Sequence, residues 1–407
     1  MVSKTILLLA IIPAVILAAG IGGYVYYEGT KISDVLQNVE VIDARIDYMD
    51  PVGTPVMKRL DLLLVVDVRN NADEPAYIKA IKINVYVDGV YAGSTEATDI
   101  DIAGKGIETV STLLHVENKE AIRVILEALT NNETINVIVN GTIVTPIKLL
   151  DLAEVHETYR DFGVSFSQKL PWPLDKEYLS IVDIGFEPQE TIVDRPVDIH
   201  VGLFSVASKE VKVDVYIKKD LVSRPDQVVY EYSTTIPLKG YGVIDFSWTP
   251  TETSSDTLRG YYLEVYINGE KYYTMQDSYP PRLKVLSRAS IVKVVDAYWI
   301  INGERNYTAR VGDTVEGVVV LRPTEEITAT IKIVIKKDLV LRPDQVVKEQ
   351  SYSMTLKPYE NVTVSITFTP TEASSTLFKG YFIEVYVDGE KVYSMPPEYP
   401  PRLRVEG

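Results

Sequence analysis

Beyond Tyr27 the chain alternates apolar and polar residues with the two-residue period of half-buried β-strands. Clear examples are "INVIVNGTIV" from Ile135, "VKVDVYIK" from Val211, "IKIVIK" from Ile331 and "VTVSITF" from Val362. Asp-Gly or Asn-Gly pairs, which favour two-residue hairpins, close three similar runs that begin at Val85, Val265 and Val385. The pattern predicts a mainly β fold with one hairpin of this kind in each of three domains.

The segment Thr5–Tyr27 departs from this pattern, because it is 23 residues long and carries no charge. A helix of that length can cross a membrane. The length of the apolar run favours an uncleaved anchor in residues 1–30. Lys4 before it and the tyrosines at its end predict that the rest of the chain lies outside the cell membrane. A cleaved signal peptide is the alternative. Four small residues spaced by four would let a second helix approach and form a homo-oligomer: Ala10, Ala14, Ala18 and Gly22.

A second helix is predicted over Asn118–Asn132. Asn118 is a suitable N-cap, and four apolar residues share one face of the helix: Ile122, Ile125, Leu126 and Leu129. This helix belongs to a first domain, residues 31–166. The proline-containing stretch "SQKLPWPLDK", residues 167–176, is predicted to be an interdomain linker.

The remainder of the chain is a tandem repeat. The block "KKDLVSRPDQVVYE" from Lys218 returns as "KKDLVLRPDQVVKE" from Lys336, and the stretch "TPTETSS" from Thr249 returns as "TPTEASS" from Thr369. The offsets of 118 and 120 residues imply a two-residue insertion near Glu360–Val362. Repeat 1 is assigned to residues 177–287 and repeat 2 to residues 288–407, a size typical of two-sheet sandwiches.

The doubled block is interpreted as a connection between two strands, with a type I turn at Arg224–Gln227 and at Arg342–Gln345. Its charged residues either pair locally and stiffen the loop, or form a docking surface that occurs twice. The candidate contact residues are Lys219, Asp220, Arg224, Asp226, Lys337, Asp338, Arg342 and Asp344.

Charge and composition exclude several classes of function. The net charge of −16 would repel nucleic acid, and the absence of cysteine excludes thiolate chemistry and cysteine-ligated metals. His115, His156 and His200 do not have the spacing of a metal motif, and neither a nucleophile elbow nor a phosphate loop occurs. We therefore expect no enzyme activity, no cofactor and no metal.

The sequence contains four N-x-[ST] sequons, which agree with export of the chain. Their acceptor residues, the candidate glycosylation sites, are Asn132, Asn140, Asn306 and Asn361. We expect that at least one of them carries a glycan.

The first domain resembles the water-stress and hypersensitive-response domain of LEA14-like proteins. The resemblance lies in "LLLVVDVRNNADEPAYIKAIKINVYVDGVYAGS" from Leu62, in "IAGKGIETVSTLLHV" from Ile102, and in the predicted helix followed by "INVIVNGTIV". That family usually has Asn-Pro after its first strand, whereas Asn70 is followed by Asn71 in this chain. The resemblance implies a small β-sandwich with one helix and no catalytic residues.

The two repeats resemble the immunoglobulin-like CARDB modules of prokaryotic surface proteins. The matching runs are "DFSWTPT" followed by "GYYLEVYINGE", and "SITFTPT" followed by "GYFIEVYVDGE". The resemblance implies two tandem immunoglobulin-like β-sandwiches and an archaeal or other prokaryotic surface context.

Together these features predict a single-pass, extracytoplasmic cell-envelope protein with a structural, adhesive or protein-interaction role. Its expected partners are the membrane, through the N-terminal helix, and envelope proteins or surface glycans. Two alternatives stay open: an accessory subunit that binds a glycan or solute, and a subunit of a surface filament or lattice.

Overall fold

The computed structural model describes residues 19–27, 29–31, 33, 36–149, 153–221, 224–254, 260–276, 281–339, 342–374, 380–398 and 400–407. The fold is mainly β, as predicted. Residues 19–27 of the predicted membrane segment are helical. Residues 5–18, with Ala10, Ala14 and Ala18, lie outside the described residues. Within the described ranges, no helix has the length and apolar character needed to cross a membrane.

The first domain contains two antiparallel sheets and one helix. Its strands are β1 (Val39–Val52), β2 (Arg59–Asn70), β3 (Ala76–Val87), β4 (Val90–Ile102), β5 (Ile107–Val116), β6 (Thr134–Leu149) and β7 (Ala153–Lys169). One sheet has the order β1-β2-β5 and the other has the order β4-β3-β6-β7. Apolar side chains from both sheets share a single core with the helix.

The helix runs over Lys119–Asn131 and lies where the sequence predicts it. The Asn118 side chain accepts hydrogen bonds from the backbone N–H groups of Glu120 and Ala121, and Asn132 ends the helix in the left-handed conformation. The predicted apolar face is buried, since Ile122, Ile125, Leu126 and Leu129 all belong to the core. At about 1.5–3 kcal/mol per buried side chain, this face anchors the helix to the sheets.

Repeat 1 is built around two long, bent strands. Its elements are β8 (Leu179–Glu187), β9 (Glu190–Ile192), β10 (Val197–Lys219), β11 (Gln227–Trp248), β12 (Tyr261–Ile267), β13 (Glu270–Thr274) and β14 (Lys284–Leu286). The first half of β10 pairs with β8 and the second half pairs with β12. Along its whole length β10 also pairs with β11, and the register of that pairing shifts between Ser205 and Lys209. Both halves bury their apolar side chains in one core.

Repeat 2 has the same layers, but two shorter strands stand in the place of each long strand of repeat 1. A short 3-10 helix, Arg288–Ile291, precedes β15 (Val292–Ile301), β16 (Glu304–Arg305), β17 (Thr308–Arg310), β18 (Val315–Pro323), β19 (Ile327–Lys337), β20 (Gln345–Leu356), β21 (Val362–Phe368), β22 (Tyr381–Val387), β23 (Glu390–Ser394) and β24 (Arg404–Glu406). Two four-stranded sheets result, β16-β15-β18-β21 and β20-β19-β22-β23. The predicted insertion lies between β20 and β21, where repeat 1 has continuous strand.

The three predicted hairpins are present, one in each domain. Their turns are Asp88-Gly89, Asn268-Gly269 and Asp388-Gly389, all with positive φ at both positions. Each turn also ties down a neighbouring strand, because the Asp or Asn side chain accepts a backbone hydrogen bond from Asn136, Lys212 or Thr330, respectively.

The predicted linker is shorter than expected. Ser167, Gln168 and Lys169 belong to β7, where they pair with β6. The Gln168 side chain also exchanges hydrogen bonds with the backbone of Ile46, at 2.8 and 2.9 Å, which joins β7 to β1. Because of these contacts, residues 167–169 form part of a strand, although their composition suggested a loop.

The first domain and repeat 1 share one hydrophobic core. Four repeat 1 side chains are buried among those of the first domain: Tyr178, Val182, Phe204 and Val206. Backbone hydrogen bonds join the two units, from Met57 N–H to the Ile181 carbonyl and from Ile181 N–H to the Pro55 carbonyl, both at 2.8 Å. The junction is therefore continuous in packing and in hydrogen bonding.

The junction between the repeats relies on other contacts. Ile192 of repeat 1 packs into the core of repeat 2. The exposed side chain of Arg195 forms an ion pair with Glu325 and donates to the Glu326 carbonyl at 3.4 Å. An exposed ion pair contributes little stability, because water screens it.

Replacing Phe204 with Ala is expected to lower the free energy of unfolding of the joined first domain and repeat 1 by about 3–5 kcal/mol, the range for a buried Phe. The measurement is calorimetry on the full chain. The equivalent position in repeat 2, 118 residues later, is the exposed Arg322, so Arg322→Ala is the matched control and should change stability by less than about 0.5 kcal/mol. Equal effects of the two variants would contradict a shared core.

Candidate functional site

The doubled block lies at the end of the central strand in each repeat. In repeat 1, Lys218 and Lys219 end β10, and Asp220 leaves the sheet with its backbone N–H bonded to the Gly260 carbonyl at 3.2 Å. Residues 222, 223, 340 and 341 of the two blocks lie outside the described residues. The prediction of a strand-to-strand connection is confirmed, since β11 begins at Gln227 and β20 begins at Gln345.

The predicted type I turn is not formed as a hydrogen-bonded turn. The backbone bends at Arg224, and Pro225 and Asp226 are irregular. Instead, the Asp226 carboxylate accepts the Leu221 N–H at 3.2 Å. A side chain therefore closes the connection where a backbone bond was expected.

The first lysine of each block neutralises a buried glutamate on the neighbouring strand. Lys218 Nζ lies 2.7 Å from Glu264, and Lys336 Nζ lies 2.8 Å from Glu384. These two glutamates are only 3% and 4% exposed. A second lysine, Lys271 or Lys391, contacts the same carboxylate at 2.6 or 3.1 Å, respectively.

The pKa values of both glutamates reflect this pairing. Burial alone raises the pKa of a carboxyl, but at Glu264 the hydrogen bonds from Lys218 and Lys271 outweigh it and hold the pKa below its ordinary value. At Glu384 the hydrogen bonds from Lys336, Tyr386 and Lys391 do the same. Both carboxylates are therefore ionised at neutral pH and contribute to stability there.

The second lysine of each block ties the central strand to the loop before β12 or β22. Lys219 Nζ lies 2.6 Å from the Glu252 carboxylate, and Lys337 forms the equivalent pair with Glu372. Each lysine also lies 5.9 Å from the centre of a tyrosine ring, Tyr261 or Tyr381. These glutamates belong to the repeated "TPTE" sequence, so both halves of the pair occur twice.

The aspartate of each block forms an ion pair with an arginine near the end of its repeat. Asp220 Oδ2 accepts from Arg282 Nη1 at 2.6 Å, and both residues are 5% exposed. Arg282 also donates to the Gln276 carbonyl at 3.0 Å and lies 4.5 Å from the centre of the Tyr262 ring. The arginine belongs to "YPPRL", so the pair joins the centre of the module to its last segment.

Repeat 2 has the same arrangement with one difference. Arg402 pairs with Asp338 at 2.5 Å, donates to the Pro396 carbonyl at 3.0 Å and lies 4.3 Å from the Phe382 ring. In repeat 1 the equivalent ring is Tyr262, whose hydroxyl donates to Asp226 at 2.7 Å. Phe382 lacks that hydroxyl and cannot make this hydrogen bond.

The candidate contact residues therefore divide into two groups. Lys219, Asp220, Lys337 and Asp338 are committed to ion pairs inside their own modules, and Asp226 is bonded to Tyr262. The ion-pair partners of the two lysines and of Asp220 and Asp338 lie tens of residues away in the sequence, whereas Asp226 also accepts a hydrogen bond inside the block, from the Leu221 N–H. Arg224, Arg342 and Asp344 have exposed side chains, and a docking surface would have to use these.

A cleft of about 580 Å³ lies between the first-domain helix and repeat 1. It is rich in carboxylates, contributed by Glu127, Asp183, Glu187, Asp198 and Asp245. His200 Nε2 lies 3.3 Å from Asp183, and this contact raises the pKa of His200 against the effect of burial. Burial raises the pKa of Tyr241, also in the cleft, to about 12. Among the described residues, no three His, Asp or Glu side chains are arranged to hold a metal ion.

The four candidate glycosylation sites differ in exposure. Asn132, Asn306 and Asn361 are exposed, whereas Asn140 is half-buried in the middle of β6, between β3 and β7. The Asn306 side chain accepts the N–H groups of Tyr307 and Thr308, at 2.7 and 3.2 Å. The Asn361 side chain accepts from Arg322 Nε at 2.8 Å.

The sequence reasoning missed the acidic and basic partners of the doubled block. These are Glu252, Glu264, Arg282, Glu372, Glu384 and Arg402. A signal was present, because each charge occurs in both copies of the repeat, within "TPTE", "EVY" or "PPRL".

Comparisons with known proteins do not identify the chain. No family model and no curated protein matches it. Similar solved structures include a protein from Archaeoglobus fulgidus, 14% identical over 32% of this chain and 100% of that one, with a TM-score of 0.21. Another is red sea bream transglutaminase, 11% identical over 61% of this chain and 31% of that one, with a TM-score of 0.19. At these TM-scores neither likeness assigns a fold or a function.

Arg282→Ala is expected to lower the free energy of unfolding by about 3–5 kcal/mol, because it breaks a buried ion pair by removing only one of its two charges. Arg402→Ala should cost less, since the Asp338 side chain is 26% exposed and regains water more easily. Arg224→Ala, in the same block but exposed, is the control and should stay within about 0.5 kcal/mol. Urea unfolding of the full chain measures all three, and an equal cost at Arg224 and Arg282 would count against the pairing.

Stability is also expected to fall in acid because of Glu264 and Glu384. Their folded pKa values lie below the unfolded value of about 4.3, so their contribution is complete above that pH. It is lost as the pH falls through the lower folded pKa. Urea midpoints measured from pH 7 to pH 3 test this, with the double variant Glu264→Gln and Glu384→Gln expected to show a flatter acid dependence. An unchanged slope would refute the assignment.

Proposed function

We propose that this chain is a membrane-anchored, extracytoplasmic cell-envelope protein with a structural, adhesive or protein-interaction role. In this proposal a LEA14-like domain follows the single-pass N-terminal anchor, and two CARDB-like, immunoglobulin-like repeats extend from it. The chain catalyses no reaction.

One observation carries the proposal. The charges of the doubled block are used inside each module, where they lock the central strand to the loop before β12 or β22 and to the final segment. Charged groups that are paired inside a module are not free to contact a substrate, which agrees with a structural role rather than a catalytic one. The shared core of the first domain and repeat 1 agrees with the same role.

The uncharged segment Thr5–Tyr27 and the exposed sequon residues Asn132, Asn306 and Asn361 support the location outside the membrane. A membrane anchor with an external domain and a glycosylated sequon both require that the chain be exported. The negative surface suits a partner other than nucleic acid.

A second function, binding of a solute or glycan, is favoured by the cleft beside Tyr241 and Phe246. Its carboxylates would attract a cationic solute, and its aromatic rings offer surfaces for stacking. A thermal-shift screen of cationic solutes and glycans separates this function from a purely structural one.

The proposed location predicts that the full chain fractionates with membranes in its source cells, and that protease added to intact cells degrades it. A variant lacking residues 5–27 should lose membrane association. Recovery of the full chain in the soluble cytosolic fraction would refute the proposal.

A pull-down from solubilised membranes tests the docking hypothesis, since Arg224→Glu with Arg342→Glu should recover less of the other envelope proteins if these arginines form a contact surface. The matched control is Arg310→Glu, at an exposed position of β17.

A further inference from the structure

Repeat 2 differs from repeat 1 most clearly where its two-residue insertion lies. Repeat 1 passes from Leu238 to Val243 through a bend that contains Gly240, with φ of 83°, and Tyr241. The helix of the first domain packs against this bend, where Thr130 Oγ1 accepts the Tyr241 N–H at 2.6 Å. In repeat 2 the same place is filled by residues 357–361, and all five residues are exposed.

Tyr359, in this exposed loop, has an unusual conformation. Its φ is 61°, a region that favours glycine and is costly for a bulky residue. Its N–H donates to the Pro323 carbonyl at 2.8 Å, so the backbone is held in place, while the side chain is 71% exposed. Repeat 1 places a glycine in this region at the equivalent bend.

Asn361, two residues later, begins the sequon Asn361-Val362-Thr363 directly before and within β21. Arg322 Nε donates to its side chain at 2.8 Å. A guanidinium only donates, so the atom facing Arg322 is Oδ1, and Nδ2 lies on the other side of the planar amide. The acceptor nitrogen Nδ2 is therefore the amide atom that Arg322 does not hold.

The other sequons lack this arrangement. Asn140 is half-buried with strands on both sides, so an enzyme cannot reach it without disrupting β6. Asn132 is exposed at the end of the first-domain helix, close to the contact between Thr130 and Tyr241. Asn306 also accepts through Oδ1, from two backbone N–H groups of its own sequon, but the residue two positions before it is Glu304 rather than an aromatic residue. Only the sequon of Asn361 follows an exposed aromatic residue at the second preceding position.

We infer that Asn361 is an N-glycosylation site and that the ring of Tyr359 packs against the apolar face of the first sugar. This inference rests on the proposed export of the chain. The co-reactant is an oligosaccharide linked through its anomeric carbon to a lipid phosphate, and a membrane transferase catalyses the step. The bond from Nδ2 to the anomeric carbon forms while the bond from that carbon to the phosphate oxygen breaks. The phosphate leaves with the electron pair, and Nδ2 loses one proton to a base of the transferase.

The chemistry of the ring explains its position. A pyranose ring presents a face of C–H groups, and the negative face of an aromatic ring attracts such weakly positive hydrogens. Arg322 holds the amide through Oδ1, whereas the bond to the sugar is made at Nδ2. In repeat 1 the first-domain helix contacts the equivalent position, the bend at Gly240 and Tyr241, so a glycan would have no room there.

The test is glycopeptide mass spectrometry on the full chain purified from membranes of its source cells. We expect a glycan mass on the peptide that contains Asn361 and none on the peptide that contains Asn140. Asn361→Gln and Thr363→Ala should each remove the modification, and unchanged circular dichroism would show that both variants fold. Asn140→Gln is the matched control and should leave the glycan at Asn361 unchanged.

The role of Tyr359 is tested separately. Tyr359→Gly is expected to raise the melting temperature of the unglycosylated chain, because glycine accepts the positive φ. It should also lower the modified fraction at Asn361 by a factor of about 2 or more, whereas Tyr359→Phe should retain it. A lower melting temperature for Tyr359→Gly, or an unchanged modified fraction, would overturn the role of the ring.

The two proposals fail in different ways. If the chain is found in membranes, is degraded by external protease and has a bare Asn361, the inference is wrong and the proposed function stands. If the chain is found in the cytosol, the proposed function fails first.

Discussion

Each repeat depends on an aspartate at the end of its central strand. Asp220 is buried and the Asp338 side chain is 26% exposed, so water solvates neither of them fully where the chain leaves the sheet. An arginine near the end of the module neutralises each of them, 62 residues later in repeat 1 and 64 residues later in repeat 2. A buried charge without a partner costs several kcal/mol, so the block and the final segment must be present together. The lysines beside each aspartate fasten the same strand to β12 or β22 and to the preceding loop.

The two junctions between domains differ in strength for a physical reason. The first domain and repeat 1 bury apolar side chains in one core, and their backbones exchange hydrogen bonds, so separating them would expose apolar surface and unpaired backbone groups. The two repeats rely on a smaller apolar contact and on the exposed pair of Arg195 and Glu325. The second junction is therefore the one that salt and solvent can weaken.

The two repeats show how one fold adapts to different surroundings. The charge pairs are the same in both copies, because each module has to close on itself. The differences lie at the surface that meets a neighbour, where repeat 1 has the bend around Gly240 against the helix and repeat 2 has an exposed loop with Tyr359. Phe382 in place of Tyr262 removes one hydrogen bond but keeps the ring on which the arginine lies.

Local features of this protein follow from the sequence alone. Alternation identifies the strands, Asp-Gly and Asn-Gly pairs identify the hairpins, and Asn118 with its apolar face identifies the helix, because each depends on residues close together in the chain. The sequence also shows that the doubled block is a connection between strands. Only the tertiary structure decided that Lys219 meets Glu252, that Asp220 meets Arg282, and that Ser167–Lys169 continue a strand. Those outcomes depend on which strands lie side by side and in what register, and this is set by the packing of the whole domain rather than by neighbours in sequence.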